Sequence, residues 1–121
     1  MLGISTKFYP LRLNAYMRNE VEMEISVRND GSEPRWVECD IIVPEAISLA
    51  PDKQLAKGRV RVGIVLPRES MGRKVKIYAG ASSYSDTYTI RLTAFGFGKD
   101  GTISSRDEKK AELRCERVGM P

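Results

Sequence analysis

The sequence predicts an all-β chain, a two-sheet antiparallel sandwich of seven or eight strands, with residues 1–121 forming one domain. Three observations carry that expectation. Apolar side chains recur at every second position, the spacing of strands with one buried face, while helical spacing does not recur. Clusters of Asn, Asp, Gly and Pro punctuate these stretches at roughly 8–12-residue intervals. Finally, each half-apolar strand needs a second apolar face to bury against, which a two-layer arrangement supplies.

The strands follow in order. A ragged first strand is expected around Phe8 to Leu13. Val21, Met23, Ile25 and Val27 then share one face of a cleanly alternating strand. Asn29-Asp30-Gly31-Ser32 should reverse the chain, because Asn, Asp and Gly tolerate positive φ. Trp36 to Val43 sets Val37, Cys39, Ile41 and Val43 opposite Glu38 and Asp40, and Pro44, with no amide hydrogen, can end it. Ile47 to Ala50 is a short apolar piece.

From Arg59 to Leu66 the alternation predicts Val60, Val62, Ile64 and Leu66 inward, with Arg59 and Arg61 outward. Arg73 to Ala79 turns Val75, Ile77 and Ala79 inward and Lys74, Lys76 and Tyr78 outward. Thr87 to Phe97 buries Tyr88, Ile90, Leu92 and Ala94, leaving Thr89, Arg91, Thr93, Phe95 and Phe97 on the other face. Asp100-Gly101 signals a type I′ hairpin turn, which needs positive φ at both central residues. The last strand, Lys109 to Val118, turns Ala111, Leu113 and Cys115 inward.

Composition narrows the function. A hydrophobic share of 41% with 30% charged residues is ordinary for a soluble globular chain. No apolar run approaches the ~20 residues of a membrane helix. Residues Met1 to Lys7 lack the basic head and apolar stretch of a signal peptide, so the expected location is cytoplasmic. Scarce glutamine and an excess of arginine over lysine are weak signs of a thermophile.

There are two cysteines and no histidine, so the usual general base and the commonest metal ligand are missing. Two thiols make neither a disulfide framework nor a cysteine-based zinc site. Ser82-Ser83 and Ser104-Ser105 read as solvated loop serines, and Gly96-Phe97-Gly98 as a bulge near a hairpin end. Glu20, Glu22 and Glu24 stand parallel on one strand, ~6.6 Å apart, and do not converge on an ion. No enzyme activity, cofactor or metal is expected.

Asn29-Asp30-Gly31 after an alternating strand, and Tyr88 to Ala94 leading to Asp100-Gly101, resemble the immunoglobulin-like modules of the CARDB and NEW3 type over Val21 to Val118. The resemblance implies an immunoglobulin-like sandwich. Those families are mostly accessory domains of larger extracellular proteins, and this chain departs from them in showing no export signal, so their function is not carried over. In that arrangement the second strand pairs with the fifth, and the fifth with the fourth. The chain departs from antibody domains, whose two cysteines bridge the sheets. Cys39 and Cys115 should instead flank the Thr87–Phe97 strand, roughly 10 Å apart at ~4.8 Å per strand. That is too far for a bridge, so both are expected as buried free thiols.

Two surfaces are candidates for a partner. On the first, Trp36 should sit near Phe95 and Phe97, with Arg91 rimmed by Glu38, Asp40 and Glu112. Such an aromatic cluster suits another protein or a second copy. The competing reading is a bulge at Trp36 or Gly96, which would reverse the facing and make the rings core. The second surface is basic. Between Lys53 and Lys76 the only acid is Glu69, and the pI is about 9.2. In the assumed topology Arg59 and Arg61 lie beside Lys74 and Lys76, which Glu22 and Glu24 partly neutralise. This is the alternative, a face for nucleic acid or another anionic polymer.

Overall fold

A computed structural model describes residues 1–117. The chain is all-β, with nine strands in two sheets among the described residues. In order they are β1 (Leu2–Tyr9), β2 (Arg12–Asn14), β3 (Asn19–Asn29), β4 (Arg35–Ile42), β5 (Ile47–Ser48), β6 (Lys57–Val65), β7 (Ser70–Ala79), β8 (Asp86–Phe97) and β9 (Ile103–Glu116). Sheet A runs β1-β3-β7-β5, and sheet B runs β2-β9-β8-β4-β6. All pairings are antiparallel except β2 with β9, which is parallel. Sheet B curls like part of a barrel.

The alternation read from the sequence sorts the two sides of most strands. Val21, Met23, Ile25, Val27 and Ile77 enter the core from sheet A. Val37, Cys39, Ile41, Tyr88, Ile90, Leu92, Ala94, Leu113 and Cys115 meet them from sheet B in one cluster. Each large apolar side chain buried there stabilises the fold by about 1.5–3 kcal/mol.

Several expectations need correction. The first strand begins at Leu2, and the chain changes sheets near Pro10, so one ragged strand becomes β1 in sheet A and β2 in sheet B. Proline cannot donate to a ladder, which suits it to the break between strands. The last strand begins at Ile103, six residues early, and its expected end at Val118 lies outside the described residues.

In β6 the facing reverses. Val62 is the extra residue of a bulge, because Val37 pairs with Gly63 while Glu38 pairs with Arg61. Gly63 adopts φ +117°, which a residue with a side chain rarely does. Beyond that point Val65 is buried, whereas Ile64 and Leu66, expected inward, are exposed.

The turn chemistry also differs. Only Gly101 has positive φ in its loop, so the hairpin is not type I′. A three-residue loop is closed by the Gly98 amide donating to the Thr102 carbonyl at 2.9 Å. Asn29 has an ordinary φ and serves as a hydrogen-bonding hub. Its amide donates to the Glu33 and Val65 carbonyls at 2.8 and 2.9 Å, and its side-chain oxygen accepts from the Gly31 amide.

Candidate interaction surface

The outward side chains of sheet B form rows across β6, β4, β8 and β9. At one end, Ile64 pairs with Trp36, Trp36 with Phe97, and Phe97 with Ile103. The two isoleucines are 59% and 58% exposed and the indole 38%, a continuous apolar stripe at the surface. Phe97 in its middle is half-buried.

The next two rows are charged and internally paired. The indole Nε1 of Trp36 donates to Glu38 at 2.7 Å. Arg59 reaches Glu38 at 3.3 Å and holds Asp40 through two hydrogen bonds. Its guanidinium also lies 5.3 Å from the Phe95 ring centre, and that of Arg106 lies 6.0 Å from it. Cations at that range over a ring are attracted by its π face. Phe95 therefore sits beneath two arginines and is not part of the open apolar stripe. Arg106 in turn meets Glu108 at 3.0 Å. The hydrogen bond from Arg59 holds the Asp40 carboxyl below its ordinary value, and the same bond raises the Arg59 guanidinium.

The fourth row is different. Lys57 pairs with Ile42, Ile42 with Arg91, and Arg91 with Lys110. A cleft of about 340 Å³ opens there, lined by Ile42, Arg91, Thr93, Arg106, Glu108, Lys109, Lys110 and buried Leu92.

The structure thus brings Trp36 and Phe97 together and keeps Phe95 one row away. Arg91 lies six residues along β8 from Phe97, about 20 Å at ~3.4 Å per residue, directly opposite Ile42 and Lys110, with Asp40 and Glu112 at diagonal positions beside it and Glu38 a further row away. The expected basic face does not assemble. Arg59 and Arg61 lie on β6 in sheet B, while Lys74 and Lys76 lie on β7 in sheet A. The reason is that β7 pairs with β3 and β5, not with β6. Lys74 and Lys76 do oppose Glu24 and Glu22 in register, but their ion pairs run diagonally, to Glu22 at 3.8 Å and Glu20 at 3.1 Å. Glu20 raises the Lys76 ammonium through that bond.

Sequence reasoning missed Ile64, Ile103 and the cluster around Lys110. Ile64 was hidden by the bulge, and Ile103 by the late start assigned to the last strand. The signal for both was present as Gly63 inside an alternating run and as a hairpin loop ending near Thr102. Among the described residues no three Cys, Asp or Glu side chains converge as a metal set, and no helix is long and apolar enough to cross a membrane. No protein-family model matches the chain, and no curated protein matches it in sequence.

Proposed function

We propose that this protein is a non-enzymatic interaction module of immunoglobulin-like fold, binding a protein partner through the outer face of sheet B. The observation that carries this reading is the surface stripe Ile64–Trp36–Phe97–Ile103, four large apolar residues paired across four strands, three of them exposed and Phe97 half-buried. Ordinary surfaces scatter such residues singly, and contiguous patches mark contact sites. Aromatic side chains with arginines nearby are the composition of interface centres.

Strand order and one corner support the immunoglobulin-like part of the reading. The order β1-β3-β7-β5 resembles the A-B-E-D sheet of that fold, and β9-β8-β4 its G-F-C sheet, with β6 as an added edge strand. The Tyr88 hydroxyl donates to the Tyr84 carbonyl at 2.6 Å and accepts from its amide at 3.1 Å, at the start of β8. Such a tyrosine corner is a mark of immunoglobulin-type sandwiches. The departure is β5, which precedes the added strand in sequence rather than following it. Kinship with the CARDB and NEW3 modules is part of this proposal, resting on the sequence patterns alone. Two buried unpaired thiols suit the reducing cytoplasm.

A photo-crosslinking residue placed at Ile103 tests the surface. One discrete protein adduct is expected, lost when Trp36 and Phe97 are both changed to serine. Equal adducts from a probe at Lys7 on sheet A would overturn the assignment. Sedimentation equilibrium shows whether the adduct is a second copy. Binding to an anionic polymer, the competing reading, would instead weaken steeply with salt, by roughly 10³–10⁵ between 50 and 200 mM for six to ten phosphate contacts.

A further inference from the structure

Arg91 and Lys110 are direct cross-strand partners of like charge. Such a pair is destabilising unless something offsets it. Lys109 lines the same cleft, and Lys57 lies across Ile42 from Arg91. Among the described residues, none of these four cations has a carboxylate within ion-pair distance. Glu108 and Glu112 flank Lys110 on its own strand, but Glu108 is engaged by Arg106 and neither lies within 4.0 Å of Lys110. Asp40, already held by Arg59, is coupled to Lys57 through its charge, but the Arg91–Lys110 pair has no ion pair of its own among the described residues, which points to compensation from outside the fold.

Resting on the protein-binding reading above, we propose that this cleft receives carboxylate side chains of an acidic segment of the partner protein. Its cations would meet those carboxylates while the Ile64–Ile103 stripe, about 20 Å away along the strands, takes apolar side chains of the same partner. Charge complementarity favours an acidic segment over a second copy of this chain as the occupant. A two-fold pairing of this face with strands parallel sets Arg91 and Lys110 against themselves. With strands antiparallel they meet the apolar stripe. In both cases Glu38, Asp40 and Glu108 are already held by Arg59 and Arg106, which leaves Glu112, beside Lys110, as the nearby carboxylate of this face without an ion pair among the described residues. Nucleic acid fits less well. The cleft carries no aromatic ring, and the adjoining hollow that shares Ile42 and Arg91 offers Tyr84 as its exposed ring, with Tyr88 buried. Strand-binding proteins stack successive bases on several rings.

The probe is a fluorescent octaglutamate peptide, titrated into the whole protein at about 50 mM salt. Binding is expected, with amide shifts centred on Arg91, Thr93, Glu108 and Lys110. Arg91→Glu with Lys110→Glu should weaken it at least about tenfold, and Arg91→Gln with Lys110→Gln, which avoids new charge, should do so by a smaller factor. Lys74→Glu on sheet A should leave it within about twofold, because a remote charge acts only through the screened field. Ile64→Ser with Phe97→Ser should also leave it intact, so loss of the crosslinked partner in that variant reports on the apolar stripe and not on the cleft. Absence of octaglutamate binding, or amide shifts elsewhere, overturns the proposal. So does tighter binding of an oligothymidylate at the same residues, which would assign the cleft to nucleic acid. Displacement by millimolar inorganic phosphate as effective as by the peptide would make it a site for a small anion and would equally overturn it.

Discussion

Cys39 is packed into the core from β4, where burial pushes its thiol up to about 11, with the neighbouring Asp40 charge adding to the shift. Cys115 on β9 is raised too, by burial, with the neighbouring Tyr88 and Ser83 hydroxyls opposing. A thiol held protonated does not attack. A thiol reagent at pH 8 should therefore report no reactive cysteine in the native protein and two after denaturation; rapid labelling of either in the native state would contradict the buried placement. Asp40 moves the opposite way, lowered by the bond from Arg59. A carboxyl depressed in the native state contributes stability that is present above its unfolded value and lost as pH falls through the native one. Asp40→Asn should accordingly cost stability at neutral pH, with the gap to the parent protein closing in acid. Urea midpoints measured from neutral pH down to pH 3 read this directly.

Strands show where facing could be read and where it could not. In β3, β4 and β8 every second residue is core, because an uninterrupted pleat keeps its period over the whole length. In β6 one extra residue breaks the count at Val62–Gly63, and the same rule then puts Ile64 on the wrong side. Gly63 is the residue that permits the bulge. A Cβ there would stand 3.4 Å from the Met71 Cε, on a backbone at φ +117°. Gly63→Ala should cost about 1–3 kcal/mol as a fall in urea midpoint at unchanged slope. Gly80→Ala is the control, since its Cβ would meet nothing within 4 Å. If both changes cost the same, the bulge is not where the strain resides. Trp36 illustrates the limits of strand-level reading from the other side. Its outward facing followed from parity, but its bond to Glu38 and its place in a four-residue stripe depended on which strands lie alongside.

At the scale of the whole molecule, Asn29 joins the two sheets. It ends β3 in sheet A and donates to the carbonyl of Val65 at the end of β6 in sheet B. Asn29→Ala would leave that carbonyl and the Gly31 amide without their partner, a loss of about 1–3 kcal/mol. Thermal or urea unfolding checks it, and a neutral outcome would show that the sheets are held by the apolar core alone. The cysteines make a related point. They do flank β8, but Cys39 sits opposite Ala94 and Cys115 opposite Asp86, near opposite ends of that strand. Strand spacing alone, which gave ~10 Å, counted the lateral step and missed the ~27 Å along the strand.

By itself the sequence determined the all-β class, the buried side of five long strands and the burial of both thiols, because period-two facing is a property of each strand alone. It did not determine every neighbour: the pairings expected from the resemblance hold for β3 with β7 and β4 with β8, while the expected pairing of β7 with β6 does not form. Placing β6 beside β4, and β7 beside β3 and β5, sent Arg59 to the aromatic face and separated it from Lys74 and Lys76. Those placements depend on long-range pairing and on one bulge, and neither leaves a periodic trace in the chain.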